Sequence, residues 1–345
     1  MIRIAIIGCG GIADYHGPQL AKLPNVNVVG TCDVLEQKAR GLAEKLGVGK
    51  WCTDYRELLD GVDAVWVCTP PFARVDIITA AADAGKHIFS EKPIALNLKD
   101  ADTMIAAAKK AKVKYMLGYC FRFWNPYKLL HDTFASGELG ELVSCWGRRY
   151  ESCDMRGTWF GDQEKSGGVM LDNASHLVDW VRWVGGDVKT VFAKTFRIHP
   201  NSQADDHGGV LLFFENGGMG AVEQSLSSWV TENTIGLVGT KGGMIVSRDG
   251  VVRRRIGAEG TEQIVDVEAG VDVDSSGHSR KKDDSGKSQS VARHRESIHE
   301  HFFRCIEQDV EPVTSAIEAR KTLQTVLALL RSARTGRSVE LSEVN

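Results

Sequence analysis

The chain has 345 residues, 43% hydrophobic and 25% charged, with a formal net charge of −3. That length exceeds what one hydrophobic core sustains, so two domains are expected, and the charge balance leaves no footprint for nucleic acid or a membrane surface. Eight cysteines show no C-x-x-C pair and no histidine at zinc-finger spacing, so no metal is expected and a reducing cytoplasm fits them. The amino terminus, MIRIAIIGCGG, is too short for a signal peptide, and no apolar run of about 18 residues exists for a membrane span.

Up to Gly118 two periods alternate. Short β-branched runs occur at IRIAII (2–7), VNVVGTC (26–32), AVWVC (64–68), KHIF (86–89) and VKYMLG (113–118). Between them lie helical stretches such as LEQKARGLAEKLG (35–47) and LKDADTMIAAAKKAK (98–112). Continuously apolar strands separated by helices indicate a doubly wound parallel sheet covered on both faces. Pro18 inside the first helical stretch predicts a kink or a late start there.

Directly after the first strand comes GCGGIA (8–13), a G-x-G-x-x-A pattern between strand and helix. Gly8 allows the tight turn, Gly10 lets the backbone approach a pyrophosphate, and Ala13 keeps helix and strand close. The helix start, with Gly11 and Ile12, offers free N–H groups to the phosphates. Asp33 ends the second strand 22 positions beyond Gly11. Its carboxylate either holds ribose hydroxyls, favouring NAD over NADP, or caps the next helix. Ligands of this fold gather at the carboxyl ends of the strands, where CTPP (68–71), SEKP (90–93) and GYCFRF (118–123) stand. Thr69, Pro70 and Pro71 suit a wall beside a nicotinamide ring. Glu91, Lys92 and Arg122 complete the candidate cofactor set, with Glu91 expected to orient Lys92.

After residue 140 the pattern changes. LVSCWGRRYES (142–152) alternates like a strand, a Gly-rich polar loop follows, and VMLDNASHLVDWVRWVG (169–185) predicts one helix. Strand candidates then follow at TVFAKTFRI, GGVLLFFENGGMGAVEQSLS, NTIGLVGTKGGMIVS and VVRRRI. Such a run predicts an α+β domain built on a large, mostly antiparallel open sheet. Residues 270–290 read as a long exposed loop, and helices near 292–308 and 315–335 close the chain. The basic runs Arg253–Arg255 and Arg280–Lys282 lie beside acids and read as solvated faces. The domain division falls at 1–123 and 124–345, the first binding the cofactor, the second serving substrate binding and oligomerisation.

On the 169–185 helix, Asp172 and His176 are i and i+4 and share a face that Asp179 and Trp180 continue. They are either a proton-transfer pair or a helix-stabilising pair with the imidazole packed against Trp180 and Trp183. Arg149, Tyr150, Trp159 and Asn173 are candidate substrate contacts. Trp159 either stacks on a sugar face or anchors its loop.

GCGGIA, Asp33, CTPP, GKHIFSEKPIA and SGGVMLDNASHLVD, in that order and spacing, resemble the glucose–fructose oxidoreductase / inositol dehydrogenase / MocA family along nearly the whole chain. The resemblance implies an N-terminal Rossmann domain and a C-terminal domain whose open sheet builds dimers or tetramers. It implies a catalytic lysine at Lys92 and a catalytic acid–histidine pair at Asp172 and His176. Three positions depart from the family's usual residues: Arg74, often histidine; Cys120-Phe121, often asparagine or arginine; and Asn173, often apolar.

The reaction expected is NAD-dependent oxidation of a secondary hydroxyl of a sugar or cyclic polyol to a ketone. Lys92 stabilises the developing alkoxide and His176 takes the proton, oriented by Asp172; the reverse assignment, with Lys92 as base, stays open. Two rival readings are a non-catalytic NAD-binding ligand sensor and an NAD-dependent glycoside hydrolase of the same family.

Overall fold

The alternation of short apolar runs with helical stretches resolves into a parallel sheet in the computed structural model, which describes residues 1–153, 158–199, 202–265, 272–273, 279–280 and 296–345. The elements in chain order are β1 (Ile2–Ile7), α1 (Gly11–Leu20), β2 (Val26–Cys32), α2 (Glu36–Leu46), β3 (Trp51–Cys52) and α3 (Arg56–Leu59). They continue with β4 (Ala64–Val67), α4 (Val75–Asp83), β5 (His87–Ser90), α5 (Leu98–Ala111) and β6 (Tyr115–Leu117). The sheet order is β3-β2-β1-β4-β5-β6, every pairing parallel. The order reverses between β1 and β4, which opens a crevice at the carboxyl ends of those two strands. β4 is buried along its whole length, as a central strand covered on both faces must be. Of the expected kink or late start at Pro18, the late start does not occur: α1 begins at Gly11 and carries Pro18 in its last turn. A proline there removes one bond from a helix about to end.

The next group comprises α6 (Asn125–Ala135), β7 (Leu142–Ser152), α7 (Gln163–Ser166), α8 (Val169–Asp172) and α9 (Ser175–Gly185). Then follow β8 (Val188–Phe196), β9 (His207–Phe214), β10 (Met219–Ser225), β11 (Ser227–Gly239), β12 (Gly242–Val246), β13 (Val252–Ile256) and β14 (Gln263–Val265). β15 (Asp272–Val273) and β16 (Ser279–Arg280) pair with each other, antiparallel. Apart from them, the 270–290 reading and the basic run at 280–282 lie outside the described residues. The chain closes with α10 (Ile298–Glu307), α11 (Ala316–Thr335) and β17 (Val339–Glu340).

The second sheet has nine strands in the order β14-β13-β12-β11-β7-β10-β9-β8-β17. Only β7–β10 is parallel; the other pairings are antiparallel. One face is covered by α9, which lies so close that a Cβ on Gly147 would stand 2.7 Å from Leu177. The opposite face presents Phe192, Phe196, Leu211, Phe213, Met219 and Val238, each 39% to 48% exposed. Strict alternation produces this: in β9 the inward positions Val210, Leu212 and Phe214 are buried and their neighbours are not.

Two compact units form, Met1–Tyr119 with Glu296–Leu323, and Cys120–Arg295 with Gln324–Asn345. Each is therefore discontinuous, where the sequence reading cut the chain once, at 123/124. The reason lies in α10, capped by a reciprocal Ser297–Glu300 box. Its His299 stacks on Trp66 (5.2 Å, 14°) and its Phe302 packs edge-on to Trp66 and Phe89. Trp66 and Phe89 are themselves stacked at 3.6 Å in the core of the parallel sheet. This aromatic burial ties the returning segment to the first unit.

Candidate active site

In the first unit, Gly8 holds φ +89°, and a Cβ there would meet the backbone of Cys68 and Thr69 at 2.8 Å. Only glycine fits this turn, where β1 meets the end of β4. At Gly10 and Gly11 a Cβ would meet nothing within 4 Å, so the turn borders open space. Gly10 is the N-cap of α1 and gives it no side-chain cap, which leaves the first-turn N–H groups for an anion. Asp33 lies beside the turn: its Oδ2 accepts from Cys9 N (2.8 Å) and its Oδ1 from Leu35 N (2.9 Å). Leu35 rather than Asp33 is the N-cap of α2, so the helix-cap alternative is set aside. Both carboxylate oxygens keep further lone pairs for hydroxyl donors. Thr69 Oγ1 is buried without a protein partner, as a group awaiting a ligand would be. These features together fit a dinucleotide.

The loops after β4 and β5 are bound to each other. Arg74, 2% exposed, donates from Nε and Nη2 to Thr69 O (2.9 and 2.6 Å). It also donates to the carbonyls of Glu91, Lys92 and Pro93. Pro71 begins a short 3-10 turn and is buried beside this knot. Lys92 follows β5 at its carboxyl end; its N–H donates to Glu91 Oε2 (3.2 Å), and the Lys92–Pro93 peptide is cis. Glu91 Oε1 bonds His16 Nε2 at 2.7 Å. Burial alone would push the Glu91 carboxyl up, but the His16 hydrogen bond, with the charges of Lys92 and Arg74, holds it below the usual range. Burial, then the Asp33 charge, raises the Cys9 thiol to about 12, so it is a packed thiol and no nucleophile.

In the second unit, residues 169–185 do not form the single helix expected. α8 ends at Asp172 and α9 starts at Ser175. At the junction Ala174 N donates to Val169 O (2.8 Å) and His176 N to Asn173 O (3.4 Å). Ser175 Oγ donates to the Asp172 carbonyl (2.9 Å), the local competition by which a serine interrupts a helix ladder. Asp172 and His176 are thus not i and i+4 partners of one regular helix. Asp172 is buried and His176 half-buried. The imidazole stacks on Phe121 (4.9 Å, 23°), with Nδ1 4.0 Å from Cys120 Sγ. The ring it stacks on is that of Phe121, where the packing alternative named Trp180 and Trp183. Trp180 Nε1 donates to Tyr127 O, and Trp183 stacks on His131 at 3.5 Å.

Arg122 and Asp179 form a buried bidentate pair, Nε to Oδ2 at 2.8 Å and Nη2 to Oδ1 at 2.7 Å. The guanidinium of Arg122 is thus engaged through Nε and Nη2 inside its own unit. Arg149 bonds Glu151 (3.2 Å) on the α9 side of β7. Tyr150 points to the other side of that strand, beside Arg148, with burial and Glu223 raising its hydroxyl to about 12. Alternation thus separates Tyr150 from Asp172 and His176. Trp159 stacks on Phe160 at 3.9 Å, and Asn173 is half-buried at the α8–α9 junction.

Residues 2–119 match the oxidoreductase family, NAD-binding Rossmann fold, and residues 127–245 match the GFO/IDH/MocA C-terminal domain. The chain belongs to the Gfo/Idh/MocA family of oxidoreductases. It is 29% identical to the myo-inositol 2-dehydrogenase of Thermotoga maritima over 360 aligned positions, covering 99% of each protein. To the scyllo-inositol 2-dehydrogenase (NAD(+)) of Bacillus subtilis it is 26% identical, covering 99% of this chain and 96% of that protein. A solved structure of a probable dehydrogenase from Thermotoga maritima superposes with a TM-score of 0.81 at 28% identity, with 100% of both chains covered. As a family member the chain carries an NAD-binding Rossmann fold and an oxidoreductase's architecture. No helix among the described residues is long and apolar enough to cross a membrane.

Sequence reasoning missed His16, His299 and the part played by Arg74. His16 had a signal: Ala13, His16, Gly17 and Leu20 form the buried stripe of α1 at helical spacing. His299 had none, being 283 positions away from its partner.

Proposed function

We propose that this protein is an NAD-dependent dehydrogenase oxidising a secondary hydroxyl of an inositol-like polyol or a sugar to the ketone. The observation that carries the reading is the end of β5, where Arg74 and the Glu91 carboxylate hold the backbone of Lys92 from two sides. A surface lysine needs no such framework; a lysine that must meet a reacting oxygen does. The names of the two inositol dehydrogenases support the substrate class.

In the proposed reaction the carbinol C–H leaves as hydride and the O–H proton passes to His176, leaving the C=O of a ketone. NAD, when bound, supplies the hydride acceptor. Lys92 donates a hydrogen bond to the oxygen as negative charge develops on it. Asp172 orients the substrate and the imidazole, and Phe121 fixes the ring plane by stacking. Gly8, Gly10, Gly11 and Ile12 receive the pyrophosphate, and Thr69, Pro70 and Pro71 line the nicotinamide. Asp33 takes the ribose hydroxyls; its carboxylate would repel a 2′-phosphate, so NAD is preferred to NADP. Arg149, Trp159 and Asn173 remain the substrate contacts we propose.

The first compact unit serves the cofactor, and the second serves the substrate and assembly. The apolar open face of the second sheet exceeds what single scattered residues explain, which supports a homodimer or homotetramer built through it. Cysteines free of disulfides, seven of the eight wholly or partly buried, support a cytoplasmic setting. The test is a screen for NADH formation over inositols, aldoses and glycosides. Turnover with net NADH supports the dehydrogenase. Tight NAD binding without turnover would favour a sensor, and glycoside cleavage without net NADH a hydrolase.

A further inference from the structure

The first unit contains a buried chain of polar groups that the proposed chemistry does not use. His16, on α1, is 3% exposed and His299, on α10, is 4% exposed. His16 Nε2 lies 2.7 Å from Glu91 Oε1, and His16 Nδ1 lies 2.8 Å from His299 Nε2. The other Glu91 oxygen accepts from the Lys92 amide. The fold makes room for this carboxylate: a Cβ on Gly118 would stand 2.8 to 2.9 Å from its atoms. Around the His16 ring lie Tyr15, Trp66 and Phe89, all aromatic. The charged or titratable groups facing the pair are His299, Lys92, Arg74 and the Cys68 thiol.

The hydrogen positions follow from the partners. An ionised Glu91 requires the proton on His16 Nε2. Burial holds His299 well below its ordinary range, so it carries a single ring proton. With that proton on Nε2, donated to His16 Nδ1, every contact is satisfied. A carboxylate this buried is costly unless charge-assisted hydrogen bonds hold it, and His16 supplies the shortest one.

We propose that His16 is a positioning residue for Lys92: acting through the Glu91 carboxylate, it fixes the loop that presents the lysine. α1 thereby serves twice. Its first turn faces the dinucleotide site, and one turn later the same helix steadies the catalytic loop. The inference rests on the reading that Lys92 does chemistry.

The test compares His16→Gln, which keeps an N–H donor at the Nε2 position, with His16→Ala, which removes it. In the NAD-free protein, amide exchange at Lys92 is expected to quicken about tenfold or more in His16→Ala and to stay within about threefold of wild type in His16→Gln. With a substrate from the NADH screen, His16→Ala is expected to lose about 100-fold in kcat while NAD affinity changes less than about threefold. Its deficit deepens as pH falls, because a buried Glu91 without its donor takes up a proton more readily. His16→Gln shows neither loss. Wild-type exchange in His16→Ala, or equal losses in both variants, overturns the proposal. Should His16→Ala not fold, Glu91→Gln decides: quickened Lys92 exchange supports the proposal and unchanged exchange overturns it. A wild type inactive on every polyol would refute the dehydrogenase reading, while the exchange experiment still judges His16.

Discussion

At the scale of the residue, the decisive side chains are those whose neighbours leave them one task. Asp33 is fixed by two backbone N–H groups, one from the glycine turn and one from the chain entering α2. Hydrogen bonds to a charged group contribute about 1.5–3 kcal/mol, enough to set cofactor choice. Combining Asp33→Ala with Val34→Arg, at a position 86% exposed, is expected to raise the NADP-to-NAD ratio of kcat/KM by about 100-fold or more. Steady-state kinetics with both cofactors measure it; an unchanged ratio contradicts the ribose assignment. The strand-end positions of Asp33 and Lys92 were legible because each follows an apolar run, in a fold whose ligands collect at strand ends. Arg122 was read from the same logic, and its buried pair with Asp179 was not foreseen. Sequence spacing cannot tell a cation offered to a ligand from one satisfied by a carboxylate 57 positions away.

At the scale of the element, α1 is proposed to join a phosphate cradle to the support of a catalytic loop, and its start can be tested alone. A methyl on Gly10 would meet no protein atom within 4 Å, and its φ of −86° suits any residue. Gly10→Ala is therefore expected to leave the NAD-free protein within about 0.5 kcal/mol of wild-type stability. It is also expected to weaken NAD binding by about tenfold or more, because the methyl fills the space the pyrophosphate needs. Denaturant unfolding and calorimetric titration measure the two, and unchanged NAD affinity contradicts the cradle. Most elements were legible through their period: the parallel strands as continuous apolar runs, β9 as strict alternation. β3 was missed because two residues carry no period. The break between α8 and α9 was missed because Ser175 acts through its hydroxyl, which leaves the apolar spacing of the sequence undisturbed.

At the scale of the whole molecule, two sheets of different kinds were predictable from the change of period near residue 140. The discontinuity of each compact unit was not, since it depends on an aromatic cluster joining Trp66 and Phe89 to His299 and Phe302. The open sheet face carries the assembly proposal. Leu211→Asp with Phe213→Asp is expected to reduce the mass seen by light scattering from an oligomer's to the 37.8 kDa of one chain. A wild type already monomeric at that mass refutes the assembly proposal. Lys92 is proposed to act on the reacting oxygen and not on cofactor affinity. Lys92→Met, measured for both NAD dissociation and kcat on a substrate of the wild type, tests it most directly. The expected result is an NAD affinity within about threefold of wild type and a kcat lower by about 1,000-fold or more. A loss of NAD binding that matches the loss of activity, or a kcat that survives, would contradict the account.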